Sequence, residues 1–406
     1  MSASNNPNAT GPQISIAKFG AVGDGHTVNT SKIQSAIDHL AERERGTIVI
    51  PAGVFLSGAI FIKPGVNLHL DQGAVLKGST EKKDYPKMQT RIEGHFEDWL
   101  PALINADKTD HLRITGEGTL DGNGAAFWEE FWTRHRENPQ VTNLAVERPR
   151  LALIQNSKDV RLSGITFKDS GFWNLHLYRC NDVRVENIRF EISNNAHAPS
   201  TDGTDIDSCQ NVTIHGCHYS VDDDCICLKG SKGPMALEDK NSPPIEHIRV
   251  TECTFARGHG VVTLGSEATI VRDVVVENCR VLGPIDLVRL KLRPDTPQRF
   301  EDIHYRGITL QGEGTIFAIK PWTQFFELKG MEPPQSIVRN ISLSELKGDF
   351  SAFGNIEGNP GQTAISNISI ADINVQLKHE KLRVVQVTDL KTENNRVNGK
   401  PIELIP

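Results

Sequence analysis

Three aspartates, a histidine and an arginine–lysine pair recur in this chain at intervals that would allow acid–base chemistry if the fold gathers them. Asp202 closes Ser200-Thr-Asp202, Asp223 and Asp224 end the run Asp222-Asp-Asp224 before Cys225, His259 stands between Gly258 and Gly260, and Arg289 and Lys291 are two apart. Two carboxyl groups can divide the work of breaking a glycosidic bond, one protonating the leaving oxygen while the other activates water or attacks. Carboxylates held close cannot all ionise, so one of the three is expected to keep its proton near neutral pH. An Arg-x-Lys pair facing one way offers a fork and a point charge to a sugar carboxylate. Taken singly, an Asp run or a Gly-His-Gly is an ordinary turn. Their convergence on one surface is what would make them a site.

Convergence needs a repeating scaffold, and the chain has one. An Asn, Asp or His precedes a short apolar strand at Leu112, Val160, Val183, Val212, Ile248, Val274, Ile303, Ile341 and Ile368. The spacings 23, 29, 26, 29 and 27 mark single coils, 36 and 38 mark coils with an inserted loop, and the first gap, 48, fits two coils. Alternation as in Val183-Arg-Val185-Glu predicts one short strand per repeat, with neighbouring coils stacked about 4.8 Å apart around a shared core. The expected fold is therefore all-β: a parallel β-helix over 14–406, after a disordered polar tail over 1–13. A helix over 29–46, N-capped by Asn29 or Thr30, carrying Ile33, Ile37 and Leu40 and stopped by Gly46, would cap the open end. Residues 125–147, with Trp128 and Trp132, read as a partly helical insertion.

Phase along the coils places Asp223 and His259 at one point, each 11 residues past its anchor. Discounting loop residues, Asp202, Arg289 and Lys291 fall in the same stripe, four coils and roughly 14 Å long.

Composition narrows the partners. The 406 residues carry a net charge of -7, which disfavours nucleic acid and means that a polyanionic substrate would need a local basic patch. No apolar run is long enough to cross a bilayer. Seven cysteines without paired metal or redox spacing read as buried packing residues, with Cys180, Cys209, Cys253 and Cys279 at one point of successive coils. No cofactor or metal is called for, and a monomer is expected.

Read in order, Ser200-Thr201-Asp202, Asp223-Asp224-Cys225, Gly258-His259-Gly260 and Arg289-Leu290-Lys291 resemble the Asn-Thr-Asp, Asp-Asp-Cys, Gly-His-Gly and Arg-Ile-Lys motifs of glycoside hydrolase family 28, the polygalacturonases. The resemblance covers nearly the whole repeat region. It implies a right-handed solenoid and hydrolysis, with inversion, of α-galacturonosidic bonds in an acidic poly- or oligosaccharide of the pectin type. Asp223 would be the general acid, Asp202 and Asp224 would activate water, His259 would tune the acid, and Arg289 and Lys291 would hold a galacturonate carboxylate. Pectin as substrate implies a site of action outside the cytoplasm, with any export signal already removed from this sequence. Ser200 replaces the family's Asn beside Asp202. The triple Asp leaves a register shift by one open on spacing alone, and Cys225 favours 223/224.

Other residues are softer candidates. His176, in Phe172-Trp-Asn-Leu-His176, and Trp322, in Lys320-Pro-Trp322, are expected to touch sugar, and Trp173 could do so too. A uronate lyase or a non-catalytic carbohydrate-binding solenoid would present much the same surface. The insertions 125–147 and 230–244 could wall off one end of a groove, which favours attack at chain ends over internal cleavage.

Overall fold

The computed structural model describes residues 11–43, 45–193 and 196–406. They form a right-handed parallel β-helix in which the anchors align coil on coil: Val160, Val183, Val212, Ile248, Val274, Ile303, Ile341 and Ile368 occupy one register position and are buried. Each central coil carries three strands rather than the single strand expected. One coil runs Leu175–Tyr178, Asn181–Glu186 and Arg189–Glu191, and the next Thr204–Asp207, Gln210–His215 and His218–Ser220. Only the middle strand shows clean alternation, because the first is buried on both faces and the last is three residues long.

The residue before each anchor explains the repeat. Asp159, Asp182, Asn211, His247, Asp273, Asp302, Asn340 and Asn367 all adopt left-handed backbone, with φ between 53° and 59°. Asn, Asp and His tolerate that conformation better than other side chains. The same side chains tie coils together: Asn367 donates to Asn340 and Asn340 to Asp302, while Arg161 bonds Asp182 and Arg249 bonds Asp273. Inside, Phe167, Phe190, Tyr219 and Phe255 stack with centroids 4.8–5.3 Å apart. All seven cysteines are free and buried, and five of them form two ladders rather than one: Cys180 with Cys209, and Cys217 with Cys253 and Cys279.

Three further expectations are corrected. Arg113 pairs with Arg161, so the 48-residue gap is one coil enlarged by the helix Ala125–Glu137 and a short turn at Asn143–Ala145. The capping helix spans Thr30–Ala41 and buries Ile33, Ile37 and Leu40, but Asn29 spends its side chain on the Val22 and Thr27 backbone instead of capping. Gly46 does not stop the helix; it opens the strand Gly46–Ile50, where a Cβ would lie 2.8 Å from a Leu40 methyl. Residues 1–10 of the expected tail lie outside the described residues, and Gln13 already pairs with Thr47.

Nothing in the repeat pattern announces the antiparallel hairpin Met88–Ile92 with His95–Trp99, which leaves the early coils and lies over the outer face of later ones. Arg91 reaches Asp207 at 3.1 Å and the Gly230 carbonyl at 2.8 Å, and Phe96 packs on Tyr178. Among the described residues no helix is long and apolar enough to cross a membrane.

Candidate active site

The site is built on the strands Thr204–Asp207, Ile226–Lys229, Gly260–Leu264 and Asp286–Leu292 of four successive coils. Thr204 aligns with Ile226, Ile226 with Val262, and Gly260 with Asp286. Two residues upstream, Asp202 and Asp224 therefore share a phase, and Asp223 and His259 share the position before it. Arg289 and Lys291 are three and five residues beyond Asp286, so the site is a patch that the cations reach across rather than one straight stripe.

These residues line a cavity of about 330 Å³ together with Ser200, Trp173, Trp322, Glu93, Lys229, Lys232, Glu267 and Phe325. Asp222 faces away, pairing with Arg257 at 2.7 Å and accepting from the Ala198 amide, so the triple Asp resolves with 223 and 224 facing the cavity. Ser200 lines the cavity beside Asp202 and takes a bond from Arg148. Trp322 lies under the Lys291 ammonium, 4.8 Å from its ring centre. His176 is not a sugar contact: it is fully buried beneath the hairpin, bonded to Arg150 at 2.8 Å, and burial pushes its pKa down to about 4. It aligns with Asp205 and Cys227 in a row that the hairpin covers. Trp173, three residues earlier, does reach the cavity.

The three aspartates sit in unlike surroundings. Asp224 accepts from Thr263 at 2.7 Å and from Lys291 at 2.7 Å, with Arg289 at 3.6 Å. Burial opposes its ionisation, but Lys291 and Arg289 hold its pKa below the usual carboxylate value. Asp223 takes His259 Nδ1 at 3.2 Å and the Asp224 amide at 2.9 Å, both on Oδ1, leaving Oδ2 without a protein donor among the described residues. Here too burial is outweighed, by the bond to and charge of His259, and Asp223 is held low. The same bond lifts His259 to about 9. For Asp202, burial dominates, the charges of Asp223 and Asp224 add to it, and its pKa rises to about 7 despite Lys229. Of the three, Asp202 is thus the one that takes up a proton most readily and is free to act as a base once ionised, while the residue that the motif resemblance makes the acid stands ionised beside an imidazolium.

Lys229 was not among the site residues expected from sequence. Its ammonium is buried 3.3 Å from Asp202, 3.4 Å from Asp205 and 3.8 Å from Glu267, and rests 4.5 Å from the Trp173 ring centre. Coil-to-coil register would have found it: Leu228, Leu264 and Leu290 align, which puts Lys229 at the position of Lys291. Oxygens of Asp202 and Asp224 with Cys227, and of Asp223 and Asp224 with His259, lie within 4.8 Å of one another, close enough for a metal. Ammonium groups already occupy those carboxylates, and burial raises the Cys227 thiol well above its usual value, so a metal would have to displace lysines.

A right-handed solenoid with paired carboxylates, a histidine and cations in one cavity defines a β-helix that acts on acidic polysaccharide. Residues 41–394 match the glycosyl hydrolases family 28, and the chain belongs to that family. It is a glycoside hydrolase, and the lyase and non-catalytic readings fall away. A probable polygalacturonase of Vitis vinifera is 25% identical over 97% of this chain and 80% of its own length. An endo-polygalacturonase of Pectobacterium parmentieri is 25% identical over 87% of each chain. Among solved structures, a hyperthermoactive exopolygalacturonase from Thermotoga maritima shares the fold with a TM-score of 0.76 at 21% identity, over 97% of this chain and 91% of that one.

Proposed function

We propose that this enzyme hydrolyses α-galacturonosidic bonds of pectin-type chains and removes sugars from chain ends. One observation carries the reading: a cavity with five cations, Arg289, Lys291, Arg293, Lys229 and Lys232, in a protein of net charge -7, bounded on one side by the hairpin Met88–Trp99. The cations supply the carboxylate recognition that galacturonate demands. Closure is tight where the hairpin tip meets the next wall: a Cβ on Gly94 would lie 3.0 Å from the Gly230 carbonyl and 3.3 Å from Glu267, and Glu93 pairs with Lys232 at 3.6 Å. Hairpin contacts fall on Asp207, Gly230 and Glu267, in the coils that carry Asp202, Asp224 and His259, which leaves the side of Arg289 and Trp322 for sugar to extend from the scissile bond.

The chemistry follows from the three environments. The proton for the leaving oxygen comes from the His259 imidazolium: Asp223, ionised in the free enzyme, takes it when substrate binds and delivers it to the leaving oxygen, which leaves Asp223 ionised again and His259 neutral. Asp202 and Asp224 take the proton of the attacking water on the opposite side, which inverts the anomeric centre. Arg289 and Lys291 balance Asp224 in the free enzyme and turn to the sugar carboxylate when substrate binds. Because pectin is a cell-wall polymer, we place the enzyme outside the cytoplasm, acting as a monomer; fractionation and light scattering of the native protein test both. Early products from polygalacturonate test the central claim. Galacturonate monomer alone is expected; a ladder of oligomers refutes chain-end action, and a product absorbing in the ultraviolet refutes hydrolysis.

A further inference from the structure

Asp205 is the one carboxyl group at the site that no bonding pattern explains in its ionised form. It is fully buried, and neither oxygen accepts a hydrogen bond; Lys229 stands 3.4 Å from Oδ1, at ion-pair distance but without hydrogen-bond geometry. An ionised carboxylate left unbonded in an interior is costly, whereas a carboxylic acid needs only one acceptor. That acceptor is present. The Lys229 ammonium holds Asp202 at 3.3 Å and Asp205 at 3.4 Å, so two acceptors meet there unless one of them carries a proton. Charge leads to the same place. The buried groups around Asp205 are Arg150, His176, Asp207 with its partner Arg91, Cys227, Lys229, Glu267 and Asp202. His176 is neutral and the Cys227 thiol is protonated, so three cations face four carboxyl groups; one proton balances them, and the unbonded oxygens of Asp205 mark it as the holder.

We propose that Asp205 is a carboxylic acid in the working enzyme and donates its proton as a hydrogen bond to Asp202, a positioning role that keeps Asp202 ionised and aimed as the water-activating base. This rests on the reading of Asp202 as a base, given above. Asp205 never touches substrate; it acts from beneath, in the row that the hairpin covers.

Infrared difference spectra near pH 8 decide the protonation, and kinetics decide the role. Wild type is expected to show the C=O stretch of a protonated carboxyl group that Asp205→Asn loses and Asp202→Asn retains. Asp205→Asn, whose amide also donates, should keep kcat within about threefold, whereas Asp205→Ala, which removes the donor, should lower kcat about 30-fold or more with little change in KM. A spectrum in which wild type and Asp205→Asn match, or in which Asp202→Asn alone loses the band, overturns the proposal. Equal losses of kcat in Asp205→Asn and Asp205→Ala do so too. Should Asp205→Ala fail to fold, the spectra and the kinetics of Asp205→Asn still decide between the two outcomes. If wild type releases no sugar from galacturonides, the functional reading fails while the infrared result on Asp205 stands by itself.

Discussion

Replacing Lys229 by Met keeps the bulk of the side chain and its contact with Trp173 but removes the ammonium 3.3 Å from Asp202. At an effective dielectric of about 20, a unit charge at that distance is worth about 5 kcal/mol, or roughly 3.7 pKa units, and relaxation with water entry would leave about 2 of them. Asp202 already stands at about 7, so its folded value would move to about 9. Asp202 must be ionised to accept the water proton, so the acid limb of kcat/KM moves upward by the same amount. Activity at pH 7 then drops about 50-fold, since Asp202 goes from about half to about 1% ionised there, and the limb meets the alkaline limb set by His259 at about 9. The check is a pH–rate profile of galacturonate release, with thermal unfolding measured at each pH to separate loss of fold from loss of ionisation. An acid limb that stays put, or moves downward, in a folded Lys229→Met enzyme refutes the assignment of that limb to Asp202 under Lys229's control.

Three other outcomes follow from the same geometry. Asp223→Asn should lower kcat by about 10²–10⁴ while oligogalacturonide binding persists by calorimetry, since the amide cannot give up a proton to the leaving oxygen; undiminished turnover would place the acid elsewhere. Asn211, at φ 57°, should tolerate Gly, but Asn211→Val forces a β-branched side chain into left-handed backbone and should cost about 1–3 kcal/mol of stability, read from chemical unfolding. His259, half exposed and raised by Asp223 to about 9, contributes stability that is fully present below its unfolded value near 6.5 and lost as pH rises through about 9. His259→Gln should flatten that part of the melting-temperature profile; an unchanged slope between about pH 6 and about pH 10 would show that the pair does not form.

The anchors and their spacing were legible because each coil repeats one demand, a left-handed residue followed by alternating apolar positions. Asp159 to Asn367 advertise that demand by residue type, so the solenoid could be read without seeing it. The catalytic groups were legible for a different reason: Asp223 and His259 precede strands whose phase is fixed by those anchors. What stayed hidden is what contacts over long sequence separations create. Nothing around Met88–Trp99 says that Arg91 will pair with Asp207, 116 residues away, so neither the burial of His176 nor the hairpin's part in walling the groove could be inferred. His176 lies between the core residues Leu175 and Leu177 on the outward face of its strand, and the hairpin turns that outward face into an interior. Ionisation was illegible for the same reason, since spacing put three carboxylates together but only burial and lysine placement rank them.

Closure of the groove and the raised pKa of Asp202 then have one physical source. On the proposed reading, the hairpin that walls the groove also covers the row that holds Asp205 and Lys229 behind Asp202, and burial is the largest influence on both the Asp202 and Asp205 carboxyl groups. A chain with the tip Glu93-Gly94 shortened should lose both properties together. Its early products should include oligomers as well as monomer, and its acid limb should fall from about 7 toward the ordinary carboxylate range as water reaches the Asp202 carboxylate. Chromatography and the pH–rate profile of the same variant test the link. Oligomer products with an unmoved acid limb would show that the wall and the roof are separate devices, and that Asp202 owes its pKa to its carboxylate neighbours rather than to the hairpin.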